Sequence, residues 1–471
     1  MAQKKSTSSK KKSTTVTTKK VVKSAKKMAK KNPKGFIALV LVLILLIGLG
    51  IGGYFAYRYF VPKVEFELVG KNEINIALNS TYSEKGATAK YNGKDISNEI
   101  EISYYLNNEQ KDSIKTDELV TYTVKYDLNY QKYSRQLERK VNIVEVEPID
   151  IHFLELGNQY TGDCTYIKAG DTDILIDAGS RKGSASTIAT YVDSYCTDHK
   201  LEYVIATHAH EDHIAGFVGT NTAEGLLKHY KIDFLIDFAR SDSTSGVYSD
   251  YISLRDEKIA SGDIAQHYTA NECVQQTNGA QKVYEVAAGI TMEILDQKFY
   301  HEKASTENDY SVCALFTQGD SHYLFTGDLE EKGEQSLVEL NNNLPEVELF
   351  KGGHHGSYTA NTDALLSVIK PKTVCICCCA GSDEYVKKSG GLPNSAHTFP
   401  AQEAVDRIAK YTSKVYVTSV YKDDDKGYTS LNGNIVFHSD VGKEHTVTGS
   451  NHSIILKETD WFKSCRTWPT Y

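Results

Sequence analysis

The pattern of apolar and polar positions changes style three times along this chain. Residues 36–57 form an unbroken run of uncharged, mostly apolar residues. As a helix at about 1.5 Å per residue it would reach roughly 33 Å, enough for a bilayer core. Short alternating runs follow, such as Val64-Glu65-Phe66-Glu67-Leu68, Tyr122-Thr123-Val124-Lys125-Tyr126 and Val144-Glu145-Val146, with a turn signal at Asn92-Gly93. Alternation of period two predicts half-buried antiparallel strands, hence a small β domain over 63–147. From residue 148 to 471 the pattern is of buried strands (174–176, 203–206, 347–350, 373–380) interleaved with helical stretches (223–228, 401–411). That is the signature of an α/β domain.

Charge sharpens this division. The first 35 residues hold thirteen lysines and no acidic residue. Removing them leaves 40 basic against 61 acidic side chains, a balance near −21. The lysine-rich tail reads as disordered and cytoplasmic. It precedes the apolar run while only Arg58 follows closely, so the positive-inside rule puts everything beyond about residue 60 outside the cell. A cleaved signal peptide is the alternative, disfavoured by the length of the run and the lack of a small-x-small end. An acidic ectodomain offers no broad basic face for long polyanions, although Lys351 is a candidate contributor to a local basic groove. Of the nine cysteines, Cys375, Cys377, Cys378 and Cys379 lie in the apolar stretch from Thr373 to Ala380 and are expected to be buried fillers.

The chemistry concentrates in Thr207-His208-Ala209-His210-Glu211-Asp212-His213, directly after the strand 203–206. Two histidines two apart on extended chain point to the same side. The following Asp and His can face a second metal as the chain turns into a helix. Imidazole and carboxylate are suitable zinc ligands.

This motif resembles the H-x-H-x-D-H hallmark of the metallo-β-lactamase superfamily. Asp177 in Leu175-Ile176-Asp177-Ala178-Gly179, Asp328 in Phe325-Thr326-Gly327-Asp328, and Gly353-His354-His355-Gly356-Ser357 follow in the superfamily's order. Gly162-Asp163, Asn308 to Ser311, His397-Thr398-Phe399-Pro400 and Asn432-Gly433-Asn434-Ile435 resemble the branch containing the extracellular hydrolase domain of ComEC-type competence DNA-uptake proteins. That branch also takes in surface phosphorylcholine esterases. The likeness covers about residues 150–440. The 63–147 region resembles bacterial immunoglobulin-like modules through Tyr82-Ser83-Glu84-Lys85-Gly86-Ala87 and Val120-Thr121-Tyr122-Thr123-Val124-Lys125-Tyr126.

The resemblance implies an αββα sandwich holding two divalent ions, zinc first and manganese as the alternative. Implied metal ligands are His208, His210, Asp212, His213, Asp328 as the bridge, and His355. Asp212, Asp328 and His354 are implied in catalysis, with His354 as a substrate or proton-transfer group, although adjacency leaves open which of His354 and His355 coordinates. Asp177 and Asp163 would support the site, while His397 and Ser357 would contact substrate. Relatives place a further histidine between Asp212 and Asp328; here Asn308 and Asp309 lie nearest that place. The expected partners are a phosphodiester, in nucleic acid or a cell-surface polymer, the bilayer through 36–57, and the cell wall through the β domain. Hydrolysis of a β-lactam or other acyl substrate is the alternative activity on the same fold. A catalytically inactive surface-binding module is the alternative of a different class.

Overall fold

The computed structural model describes residues 63–382, 395, 397–424 and 427–471, together with five isolated positions between 33 and 45. The lysine-rich tail and the expected span at 36–57 otherwise lie outside the described residues. Among the described residues no helix is long and apolar enough to cross a membrane.

The chain divides into two compact units. The first comprises the described residues up to 72, then 83–112 and 123–140; the second comprises 73–82, 113–122 and 141–471. In the first, Val64–Leu68 pairs antiparallel with Ala87–Tyr91, which pairs in turn with Lys94–Asp95. Asn92 and Gly93 sit at φ 51° and 82°, the left-handed pair that a two-residue hairpin turn requires. Along Thr121–Tyr130 burial follows period two, with Val124, Tyr126 and Leu128 inside. The Arg139 guanidinium is buried in this unit. It pairs with Glu84 at 2.5 Å and donates to the Val69 and Lys71 carbonyls. A charge is tolerated there because its donors are satisfied.

The second unit is built on two eight-stranded sheets. One runs Ile264–Thr269, Lys231–Asp237, Lys200–Ala206, Thr172–Ile176, Thr165–Ala169, Ile149–Phe153, Ile435–Ser439, Thr446–Gly449. The other runs Val283–Ala287, Ile290–Leu295, Cys313–Gln318, Ser321–Phe325, Leu349–Lys351, Thr373–Ala380, Val415–Tyr421, Tyr428–Ser430. Parity along the strands sorts the core. Ala314, Phe316, Tyr323, Phe325, Leu349, Cys375 and Cys377 join a cluster with Ile151, Tyr166 and Ile205 of the first sheet. Their strand neighbours Leu315, Leu324, Phe350, Val374 and Ile376 pack against Leu337, Leu365, Leu366 and Val405 of the helices on the far side. Such two-sided burial is why these strands read as continuous apolar runs. The cysteines fill those faces as free thiols, and burial holds Cys375 and Cys378 well above the ordinary thiol range.

Three sequence readings shift. The strand Tyr133–Val144 ends before Glu145, because Glu147 leaves to donate to the Ala288 carbonyl at 3.0 Å. The helix expected at 223–228 is Leu226–His229, since Glu224 is held in a bridge with Gly219. The helix expected at 401–411 is confined to Gln402–Ile408.

Candidate metal centre

Two parallel strands, Thr172–Ile176 and Lys200–Ala206, end side by side and deliver the first half of the site. Asp177 follows the first at φ 59°. Its Oδ1 accepts the Thr207 N–H and its Oδ2 the Thr207 hydroxyl, both at 2.7 Å. The same Oδ2 accepts from His213 Nδ1 at 2.8 Å. One carboxylate thereby fixes the start of the His-rich loop and turns His213 Nε2 inward. His210 is the N-cap of the helix Glu211–Val218, so Asp212 and His213 occupy its first turn. The loop bearing Asp177 lies so close that a Cβ on Gly179 would meet the Asp212 carbonyl oxygen at 1.4 Å.

The second sheet delivers the other half. Asp328 follows Ser321–Phe325, and the turn Gly353–Gly356 follows Leu349–Lys351. His354 and His355 both adopt left-handed backbone, φ 46° and 52°, at a cost of about 1–3 kcal/mol each. The turn is clamped by Asn361, which accepts from Gly353 N at 2.9 Å and donates to Gly353 O at 2.8 Å. Asn361 is held in turn by fully buried Glu334, whose carboxylate accepts from the Asn361 and Thr362 backbone N–H groups, 2.7 Å each, and from the Thr362 hydroxyl at 2.6 Å.

These halves converge. His213 Nε2 lies 2.9 Å from Asp328 Oδ2; His355 Nε2 lies 3.2 Å from the same oxygen and 3.3 Å from Asp212 Oδ2. One ligand atom from each of Asp163, His213, Asp328 and His355 falls within 4.8 Å of the others, all buried. Beside them His208 Nε2 and His210 Nδ1 lie 3.1 Å apart. His354 sits at the rim, its Nε2 3.9 Å from Asp328 Oδ2. Of the adjacent pair, His355 is therefore the one among the carboxylates, and His354 is the more exposed.

Electrostatics matches a cation site. Burial resists the charged forms of His213 and His355. The neighbouring carboxylates together outweigh it, Asp328 and Asp177 for His213 and Asp328, Asp163 and Asp212 for His355, and hold both imidazoles well above their ordinary range. Burial likewise opposes ionisation of Asp212, yet its hydrogen bond to His355 and the charge of His213 bring it down to about 2. Burial, reinforced by His213 and His210, pushes His208 well below the usual range and keeps it neutral. The Asp328 Oδ1 atom is buried without a hydrogen-bond partner. Such an acidic, histidine-rich, under-satisfied cluster fits divalent ions that prefer mixed nitrogen and oxygen donors.

Several expected residues make other contacts than the sequence suggested. Lys351 contributes to no basic groove: it is 3 % exposed, ion-paired to Asp163, 3.6 Å from Asp328 Oδ1, and donates to the Gly327 carbonyl. Asn308 points its amide at Glu330 and His354, while Asp309 accepts from the Glu330 backbone. The His208 ring instead meets Ser311 Oγ at 3.4 Å. Ser357 accepts from the Thr359 N–H within its own turn. His397 is exposed, its ring tilted against Tyr358 and 3.8 Å from Glu403. Sequence reasoning missed Glu334 and Asn361, and named Ser311 only as the end of the Asn308 to Ser311 stretch without a role; polar residues within otherwise buried stretches were the only local sign of the first two.

A cleft of about 420 Å³ opens beside His210, lined by Ser243, Thr244, Ser245, Ser305 and Thr306 and by Asp242 and Glu307.

Comparison with known proteins matches residues 157–219 and 276–380 to the model of the metallo-beta-lactamase superfamily. ComE operon protein 3 of Bacillus subtilis is 26% identical over 224 residues, 46% of this chain and 24% of that protein. Recombination protein 2 of Haemophilus influenzae is 31% identical over 114 residues, 24% of this chain and 12% of that protein. The chain thus spans a quarter or less of the length of these relatives. Among solved structures, human tRNase Z, short form, aligns with 60% of this chain and 99% of its own at 15% identity and a TM-score of 0.27. A CmlA beta-hydroxylase mutant aligns with 68% and 74% at 10% identity and 0.33. Scores this low bear on neither fold nor function.

Proposed function

We propose that this chain, whose C-terminal region carries a metallo-β-lactamase fold homologous to competence proteins, is a membrane-anchored phosphodiesterase acting outside the cell. The observation that carries the reading is the buried convergence of Asp212, His213, Asp328 and His355 beside His208 and His210, with an open cleft at His210. His208 and His210 would hold one ion, Asp212, His213 and His355 the other, with Asp328 between them. Bound divalent ions supply Lewis-acid activation of water and neutralise charge on the phosphoryl oxygens.

The chain's own residues do the rest. Asp177 orients His213 through Nδ1, and the Cys377 carbonyl, 3.1 Å from His355 Nδ1, orients that ring. Each leaves Nε2 as the ligand atom. His354, at the rim with its Nδ1 3.2 Å from the Thr359 hydroxyl, is placed to hand a proton to a departing alkoxide. Asp242 and Glu307 in the cleft disfavour a long polyanion lying across it, and the serine and threonine hydroxyls suit a small polar diester. A small or wall-linked phosphodiester is therefore ranked at least level with duplex DNA.

The test compares bis-(p-nitrophenyl) phosphate, a phosphorylcholine ester, single- and double-stranded DNA and nitrocefin at matched salt, for the wild type and His210→Ala. Diester cleavage lost in the variant supports the reading. Efficient, salt-sensitive DNA degradation without small-diester turnover makes the chain a nuclease instead, and nitrocefin turnover alone makes it an acyl hydrolase. The topology is tested by adding protease to intact cells, which should remove the catalytic region and spare the lysine-rich tail.

A further inference from the structure

A second group of metal-ligating side chains lies apart from the centre above. Asp193 caps the helix Ser184–Val192, His199 precedes the strand Lys200–Ala206, and His229 ends the helix Leu226–His229. His199 and His208 flank opposite ends of that seven-residue strand, so roughly 20 Å of extended chain separates the two groups.

Its geometry is that of ligands around one point. His229 Nε2 lies 3.0 Å from Asp193 Oδ1, and His199 Nδ1 lies 3.4 Å from the same oxygen. All three ligand atoms fall within 4.8 Å of one another. Tetrahedral bonds of about 2.1 Å put ligand atoms about 3.4 Å apart. Small shifts of the two partly exposed rings within that limit bring the three atoms to this spacing.

The surroundings orient the ligands. Glu224 Oε2 lies 3.5 Å from His229 Nδ1, which directs that proton outward and leaves the Nε2 lone pair towards Asp193. The Tyr230 hydroxyl donates to Asp193 Oδ1 at 2.7 Å and fixes the carboxylate. His199 is held at φ 55° between two backbone bonds, its N–H to the Cys196 carbonyl and its own carbonyl to Lys231 N. A positive φ at a non-glycine residue costs energy, and here it turns the ring towards Asp193. A plain ion pair would require none of this convergence.

We propose that Asp193, His199 and His229 form a second, peripheral site for a divalent ion of the zinc type, which staples two helices and a turn together. Two imidazoles and one carboxylate suit zinc over magnesium or calcium, which take oxygen donors. Three protein ligands leave a fourth position for water.

The test uses the full, untagged chain. In an Asp212→Asn/Asp328→Asn variant, which weakens the first centre, equilibrium dialysis against Zn²⁺ should still leave about one ion per chain that His199→Gln removes. Co²⁺ titration should show a visible band lost with the same substitution. Tyr230→Phe should weaken binding by about tenfold or more. His199 is half-exposed, so its replacement leaves the metal-free fold intact, and circular dichroism verifies this; Asp193→Asn is the second variant should His199→Gln disturb the turn. Both single variants on the wild-type background should keep the first centre's metal and its turnover. Equal metal content with and without His199→Gln and Asp193→Asn overturns the proposal and leaves a surface ion pair, whatever the catalytic centre does.

Discussion

Replacing Glu334 with Gln probes how the fold holds the His354-His355 turn. Glu334 is fully buried, and burial pushes its carboxyl from 4.5 up to about 7 despite the hydrogen bonds from Thr362 and Asn361. A raised folded-state value means the folded protein holds this proton more tightly than the unfolded chain does. Stability from that proton is fully present below about pH 4.5 and is lost as pH rises towards 7. At about 1.36 kcal/mol per unit the change is about 3 kcal/mol. Gln cannot titrate, and its amide nitrogen cannot accept from Thr362. At pH 5 the variant should therefore be less stable than wild type by about 1–2 kcal/mol, the cost of an unsatisfied buried donor. At pH 8 the wild type bears the burial of its own charge, so the gap should close or reverse. Denaturant unfolding of both proteins at pH 5, 6, 7 and 8, in chelator, gives the difference directly. A difference that stays constant across this range would refute the assignment of the titration to Glu334. A variant that shifts with pH but keeps wild-type metal affinity would refute the link from Glu334 through Asn361 to the turn.

Asp212→Ala and Asp328→Ala should each abolish turnover and lower bound metal, measured by elemental analysis; near wild-type activity in either would remove that residue from the ligand set. Gly179→Ala should cost metal and stability together, because its Cβ would displace the Asp212 carbonyl from 1.4 Å; an unchanged melting temperature and metal content counts against the close approach. Lys351→Met should destabilise the metal-free protein by about 3–5 kcal/mol by leaving Asp163 buried without its cation, and unfolding in chelator measures this. Metal retention should weaken as pH falls, because His213 and His355 are both held above the ordinary range and must lose a proton to coordinate. Dialysis at a series of pH values should show affinity rising with pH, and a flat profile removes both histidines as ligands.

The α/β character of residues 148–471 was legible in the sequence because it rests on local periodicity. The strands 174–176, 203–206 and 373–380 are apolar on both faces, and both faces are covered. The His208-to-His213 motif was legible for a similar reason: strand, loop and first helical turn place its side chains within six residues. Asp177, Asp328 and the Gly353–Gly356 turn were found through their likeness to a known order of motifs. Tertiary structure alone distinguished His355 from His354, because the distinction depends on which ring lies among Asp163, Asp212 and Asp328, all remote in sequence. It alone turned Lys351 from a surface charge into a buried counterion, and gave Glu334 and Asn361 their hold on the histidine turn. The Asp193, His199 and His229 group left no local trace, since its three side chains come from a helix cap, a turn and a helix end. Periodicity and spacing record what neighbours in the chain do; burial, pairing and coordination depend on which distant segments the fold brings together.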